Sequence, residues 1–287
     1  MRCIETHIAE KQEIPIRFQE YAVGIFKTIP TKSGIKKAIK KNLILINNEP
    51  ASTSKYILGG EKIVLKENKK STDFSKLKLD LKVLYEDDFL AVIYKPAGML
   101  VSGNKFVTIT NALTQNLKKS SQEDAVIPKP THRLDYPTSG LLLVGKTIFA
   151  ITSLSKMFEN REILKTYHAI TIGKMPRIGL IETPIDTKKA KTFFNVLQTV
   201  KSKRFIFLNL VELKPETGRK HQIRKHLWIN GNPILGDKLY FKENLILKGN
   251  GLFLNASKIE FKHPITNEIL KISFRLPKKF LKIFPEK

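Results

Sequence analysis

Phe193-Phe194-Asn195-Val196-Leu197-Gln198-Thr199-Val200 and Phe205-Ile206-Phe207-Leu208-Asn209-Leu210-Val211-Glu212-Leu213 lie on either side of the short basic break Lys201–Arg204. Their β-branched and aromatic content suits a pleated, half-buried surface, so both read as strands. Thr166–Ile172 and Leu141–Val144 precede them with the same character, and Leu252–Phe261 and Ile269–Arg275 follow. Val83–Tyr85 and Leu90–Tyr94 add two more around the acidic turn Glu86-Asp87-Asp88. Helices are fewer: Thr110–Leu117, Ala150–Arg161 with Ile151, Leu154 and Phe158 inward, and His221–Ile229. Strands that adjoin and outnumber helices favour an α+β class over a parallel sheet. The expected architecture over 81–287 is a large mixed, mainly antiparallel sheet with flanking helices.

Ahead of that domain the chain changes character. Residues 1–14 carry little pattern and read as a loose leader, and Glu67–Asp80 is polar, non-periodic and reads as a linker. Between them, 15–66 forms a small α/β unit. Arg17–Phe26 has Phe18, Tyr21, Ala22 and Ile25 at helical spacing, and Thr31-Lys32-Ser33-Gly34 caps a second helix, Ile35–Lys41. Leu43–Ile46 with Asn47-Asn48 is a strand and tight turn, and Tyr56–Leu58 with Lys62–Leu65 reads as a short return. Lys32, Lys36, Lys37, Lys40 and Lys41 cluster on the second helix, where a solvated face is the ordinary reading. The order of a basic helix ahead of Leu45-Ile46-Asn47 resembles the small RNA-binding module first seen in ribosomal protein S-four, which implies an RNA-binding role for Lys32, Lys36, Lys37 and Lys40.

Composition narrows the function classes. The 287 residues include 51 Lys and Arg against 26 Asp and Glu, a formal charge of +25. The excess is +7 through residue 80 and +18 beyond it, so no detachable basic tail carries it. Such a chain suits a polyanion, because Lys and Arg release the counterions condensed on phosphates. AT-biased coding also enriches Lys, Ile and Asn and is the bland alternative. No run approaches the ~18 apolar residues of a membrane span, and no signal-peptide core is present near Met1. A single cysteine, Cys3, excludes an internal disulfide, and six scattered histidines show no metal-ligand spacing. The reading is a soluble, cytoplasmic, metal-free monomer.

Three stretches could carry chemistry. His132-Arg133-Leu134-Asp135-Tyr136-Pro137-Thr138-Ser139-Gly140 is bracketed by Pro130 and Pro137, which puts Asp135 on a constrained loop; an Asx-type turn is the common use of such an Asp. Glu216 to Leu227 starts a helix at Thr217-Gly218, with Ile223 and Leu227 toward the core and Lys220 and Arg224 together on another face. A solvated amphipathic helix is equally compatible with that pattern. Lys165-Thr166-Tyr167-His168-Ala169-Ile170 opens a strand, where a Tyr is most often packing.

Taken together, these stretches resemble the RluA-type family of RNA pseudouridine synthases over Leu81–Pro277. The resemblance also includes Val83-Leu84-Tyr85-Glu86-Asp87, Val92-Ile93-Tyr94-Lys95-Pro96-Ala97-Gly98 and Gly231-Asn232-Pro233-Ile234-Leu235-Gly236-Asp237. It implies isomerisation of uridine in ribosomal or transfer RNA, with no cofactor, by breaking the glycosidic bond and rejoining the sugar through a ring carbon. It implies Asp135 as the catalytic carboxylate, Arg224 as the guanidinium that keeps it charged and oriented, and Tyr167 as the ring against the target base. Arg133 becomes a candidate for the space the extruded nucleotide leaves, and His132, Lys220 and Leu227 are further substrate-binding candidates. Lys220 and Lys225 add charge around the Gln222-Ile223-Arg224 run beyond the family pattern, and Val101-Ser102-Gly103 lacks a histidine often found there. A non-catalytic RNA-binding or ribosome-assembly factor on the same scaffold is the principal alternative. A glycosidase is a weaker one, since it needs two acids flanking the bond and the matched motifs supply one.

Overall fold

The structure is a computed structural model that describes residues 3–66, 77, 79–241 and 249–285. The backbone divides into two compact units, Met1–Phe74 and Ser75–Lys287. The polar stretch read as a linker falls largely outside the described residues.

The smaller unit contains β1 (Cys3–Ile8), β2 (Ile16–Arg17), α1 (Phe18–Tyr21), α2 (Lys32–Lys40), β3 (Ile44–Ile46), β4 (Glu49–Pro50), β5 (Tyr56–Ile57) and β6 (Lys62–Lys66). The sheet order is β1-β6-β3-β4, and β2 pairs separately with β5. Thr31 caps α2 by accepting from the Gly34 amide, and Ile35, Ala38 and Ile39 turn inward onto Phe18, Phe26, Ile44 and Ile63. Asn47 and Asn48 both take positive φ (52° and 70°), which suits a two-residue turn between antiparallel β3 and β4.

Three local expectations are corrected here. The supposed leader contains β1, whose Glu5–Ile8 pairs antiparallel with Lys62–Leu65. Its short polar and apolar alternation carried too little signal, and the pairing partner lies more than fifty residues away. The expected helix Arg17–Phe26 contracts to Phe18–Tyr21, after which the chain turns at Gly24 with φ 84°. Tyr56–Ile57 pairs with Ile16–Arg17 rather than folding back on Lys62–Lys66.

The larger unit contains β7 (Lys82–Glu86), β8 (Leu90–Lys95), α3 (Ile109–Asn116), β9 (Ala125–Pro130), β10 (Ser139–Thr147), α4 (Ile148–Glu159), β11 (Leu164–Ile172), β12 (Ile178–Ile181), β13 (Thr192–Ser202), β14 (Ile206–Pro215), α5 (Gln222–Ile229), β15 (Leu254–Lys262), β16 (Ile269–Ser273) and α6 (Lys278–Leu281). One 10-stranded sheet runs β12-β13-β14-β11-β15-β10-β8-β7, with β9 beside β10 and β16 beside β15. The class is α+β and mainly antiparallel, as the adjoining strands predict. Two strands had no sequence signal: β9 contains Pro128 and Pro130, which depress strand propensity, and β12 is short.

The exception to antiparallel pairing is β10 against β15, a two-residue parallel seam of Ser139 with Asn255 and Gly140 with Ala256. On its other side Ala256 is paired with Tyr167 of β11. Gly140, Ala256 and Tyr167 therefore lie in one row across the sheet, directly after the loop that carries Asp135. The approach is so close that a Cβ on Gly140 would stand 2.2 Å from the Ala256 carbonyl oxygen, and φ there is 128°. Gly140→Ala is expected to cost at least about 2 kcal/mol by clash and backbone strain together. Urea unfolding measures it, and a change below about 0.5 kcal/mol would show the seam to be pliable.

Candidate active site

Asp135 sits on the loop between β9 and β10. Its carbonyl accepts from the Thr138 amide at 3.1 Å, closing a tight turn, and Leu134 is buried in the core beneath it. The Tyr136 carbonyl accepts from the Gly98 amide at 2.9 Å and from Lys95 Nζ at 3.4 Å, which ties this loop to the turn after β8. Lys95 is fully buried and also donates to the carbonyls of Pro96 and Met99, each at 2.9 Å. Burial brings its pKa down to about 8, with the charge of Asp135 pulling the other way. This is not an Asx turn: the main-chain carbonyl closes it, and the carboxylate lines a cleft instead of capping a local amide.

That cleft has a volume of about 1360 Å³, and Asp135, Tyr167, Arg224, Arg133, His132 and Lys220 are among its lining residues. Tyr167 reaches it from β11, beside the seam. Burial pushes its phenol well above the usual tyrosine range and the Asp135 charge adds to the rise, so it presents a neutral ring and hydroxyl.

Arg224 enters from α5. That helix begins at Gln222, within one residue of the expected His221–Ile229, and Thr217-Gly218, suited by sequence to start it, stay outside for a specific reason. The buried Gln222 amide accepts from Thr217 Oγ1 (2.6 Å) and the Arg219 amide (3.0 Å), and donates to Lys191 O and Thr192 Oγ1 (2.9 Å each). Thr217 is thereby held in a loop, and His221, with φ 56° and ψ 26°, makes the sharp entrance to the helix.

The Arg224 guanidinium is 3% exposed and is divided between two carboxylates. Nε and Nη2 grip Asp237 at 2.7 and 2.8 Å, while Nη1 donates to Asp135 Oδ2 at 3.4 Å. Burial opposes its charge, but the hydrogen bonds and charges of Asp237 and then Asp135 outweigh burial and raise its pKa. Asp237 Oδ1 also accepts from the amides of Leu239 (2.9 Å) and Tyr240 (3.1 Å). The Tyr240 ring lies with its centroid 5.0 Å from the guanidinium carbon. The expected Asp135–Arg224 pair exists, but its geometry is set by Asp237. That residue closes the Gly231–Asp237 motif, and the sequence alone assigns it no role, because a side chain that only holds another leaves no separate pattern.

The remaining candidates separate. Arg133 and Lys220 are exposed on the cleft wall. His132 Nε2 accepts from the Leu143 amide at 3.0 Å, and burial, followed by nearby Lys165, pushes its pKa down to about 3, so it anchors the loop as a neutral ring. Leu227 is corrected outright: it is fully buried in the core and lines no part of the cleft, as its spacing from Ile223 already indicated. Lys32, Lys36, Lys37 and Lys40 are exposed on α2 and with Ser33 line a shallow basic depression on the smaller unit.

Residues 89–228 match the model of a family described as RNA pseudouridylate synthase. A ribosomal large subunit pseudouridine synthase D from Buchnera aphidicola subsp. Schizaphis graminum is 36% identical over 289 aligned positions, covering 86% of each chain. A ribosomal large subunit pseudouridine synthase C from Rickettsia felis is 29% identical and covers 95% of this chain and 97% of its own. Among solved structures, human RNA pseudouridylate synthase domain containing 4 superposes with a TM-score of 0.57 at 26% identity, over 70% of this chain and 90% of that one.

The Asp237 clamp makes a direct prediction. Asp237→Asn leaves a buried guanidinium without its main partner and is expected to cost about 3–5 kcal/mol. Urea unfolding would measure that loss, and unchanged stability would show that Arg224 is held by other means.

Proposed function

This chain belongs to the RNA pseudouridine synthase family, and on that premise we propose that it isomerises a uridine of ribosomal RNA with Asp135 as its catalytic carboxylate. The observation that carries the proposal is the convergence of Asp135, Tyr167 and Arg224 on one cleft from a loop, a strand and a helix. The reaction cleaves the bond between C1′ and the ring nitrogen of uracil and forms one from C1′ to a ring carbon, from which a proton is lost. The displaced ring nitrogen gains a proton, so the reaction is redox-neutral and loses no atoms.

A uridine within a stack cannot reach Asp135 and must first be extruded, at a cost of a few kcal/mol. Phosphate contacts of a chain with net charge +25 offset that cost, and Arg133, exposed on the cleft wall, is suited to occupy the vacated stack. Loops and bulges, already partly unstacked, are the favoured targets. The neutral Tyr167 ring packs against the base. Its raised pKa disfavours a phenolate, so we assign it the role of ring and proton carrier rather than standing base.

Support for ribosomal RNA over transfer RNA comes from the names of the relatives, both synthases of the large ribosomal subunit. We assign residues 15–66 to an RNA-binding module of the S-four type, 67–80 to a linker and 81–287 to the catalytic domain. The exposed lysines of α2 support the first assignment. No described helix is long and apolar enough to cross a membrane. We place the enzyme in the cytoplasm, acting as a monomer without a cofactor.

Asp135→Asn is expected to lower conversion at least about 10³-fold, as loss of an essential catalytic group does, while RNA affinity stays within about threefold. Carbodiimide-stop mapping of ribosomal RNA from a strain lacking the gene, treated with each protein, reads the modified positions. A folded, RNA-binding wild type that modifies no uridine would overturn the assignment in favour of a non-catalytic RNA-binding factor.

A further inference from the structure

His221 faces the Asp135 oxygen that Arg224 leaves free. Arg224 Nη1 donates to Oδ2, whereas His221 Nε2 lies 3.8 Å from Oδ1. The other ring nitrogen, Nδ1, is 2.9 Å from the hydroxyl of Tyr240, whose ring covers the Arg224 guanidinium. One aromatic side chain thus touches both groups that flank the carboxylate.

The backbone shows how firmly this ring is held. His221 has φ 56° in the left-handed region, uncommon for a non-glycine residue although His adopts it more readily than most. The Lys225 amide bonds to its carbonyl at 2.9 Å as the first turn of α5, while the side chain is only 19% exposed. A residue needed merely to enter the helix would be cheaper as Gly or Asn.

A neutral imidazole has two tautomers here. With the proton on Nδ1, the Nε2 lone pair would face a carboxylate. With the proton on Nε2, Tyr240 donates to Nδ1 and an N–H faces Asp135. The negative charge selects the second arrangement. Several charged or titratable groups surround this ring: Asp135 from the catalytic loop, Tyr240 and Asp237 from the segment after α5, and Arg224 and Lys220 from its own stretch. Asp186, paired with Lys225 at 2.8 Å, faces it from the loop before β13. Burial lowers the His221 pKa, Arg224 and Lys220 lower it further, and Asp135 and Asp237 oppose.

We propose that Tyr240 and His221 form a positioning pair for the catalytic carboxylate: Tyr240 fixes the His221 tautomer, and the N–H of neutral His221 keeps Oδ1 aimed into the cleft while Arg224 holds Oδ2. Protonation of His221 turns the 3.8 Å approach into an ion pair that draws the oxygen away from substrate. The pair therefore sets the acid limb of activity. The inference rests on the assignment of Asp135 as the group that acts on uridine.

The test is kcat and KM against pH, from about 5 to 9, for wild type, Tyr240→Phe and His221→Asn. The readout is tritium released from ribosomal RNA carrying 5-tritiated uridine. Asn tolerates the left-handed backbone and retains a donor but does not titrate. Tyr240→Phe keeps the ring over Arg224 and removes the hydroxyl that favours neutral imidazole. Its acid limb is expected to move to higher pH, with kcat near neutrality down about tenfold and KM within about twofold, the effect of losing one orienting hydrogen bond. His221→Asn is expected to lose the limb, its kcat flat where the wild type declines. Superimposable acid limbs in all three proteins would overturn the proposal, as would a Tyr240→Phe effect confined to KM. Should His221→Asn fail to fold by circular dichroism, the near-isosteric Tyr240→Phe decides alone. A wild type inactive on RNA would overturn the function assigned to Asp135, whereas an active wild type with unmoved limbs would overturn only the positioning pair.

Discussion

Gly140 and Ala256 approach so closely that only a hydrogen fits between them, and the geometry of the site follows from that approach. The contact joins β10 to β15 over two residues in the parallel sense, within a sheet otherwise built from antiparallel pairs among the described strands. Because Ala256 also pairs with Tyr167, the seam fixes β10 and β11 at a two-strand spacing. The Asp135 loop ends where β10 begins, so the loop that carries the carboxylate is anchored beside the row that holds the phenol ring. A scaffold of strands with main-chain hydrogen bonds on both sides gives a precision that a loop alone would lack.

Electrostatics then decides how the carboxylate is held. Two unit charges about 4 Å apart interact by roughly 4 kcal/mol at an effective dielectric near 20, so Arg224 has a real hold on Asp135. Yet Arg224 is buried, and a buried ion loses several kcal/mol of hydration. Asp237 answers that loss with two short bonds to the guanidinium, and two backbone amides satisfy its own oxygen. The Arg224–Asp237 pair is better understood as a mount than as a source of stability, since hydrophobic replacements of such pairs are often neutral. What it provides is a guanidinium whose remaining nitrogen has one direction to point.

Much of this was legible in the sequence, and the gaps have physical causes. The antiparallel α+β class followed from β-branched, aromatic runs that adjoin, and Asp135, Tyr167 and Arg224 do share one cleft. Proline hid β9, because a residue without an amide donor lowers any strand expectation even at a position where it is tolerated. The strand Cys3–Ile8 was hidden because its partner is remote in sequence. Asp237 and His221 both lie within sequence motifs, but their contacts are relations between side chains: a carboxylate behind a guanidinium, and an imidazole in a left-handed turn. Leu227 shows the reverse, a helix residue whose spacing from Ile223 announced core burial and whose assignment to the substrate was misplaced.

The most direct measurement of the central claim is a crystal structure of the Asp135→Asn protein bound to a uridine-containing stem-loop of ribosomal RNA. The account predicts one uridine out of its stack, its ring against Tyr167, and its glycosidic bond about 3–3.5 Å from the side chain at position 135, the separation of a near-attack arrangement. RNA bound with every base stacked and the cleft empty, or an extruded nucleotide lodged away from Tyr167 and Arg224, would contradict it.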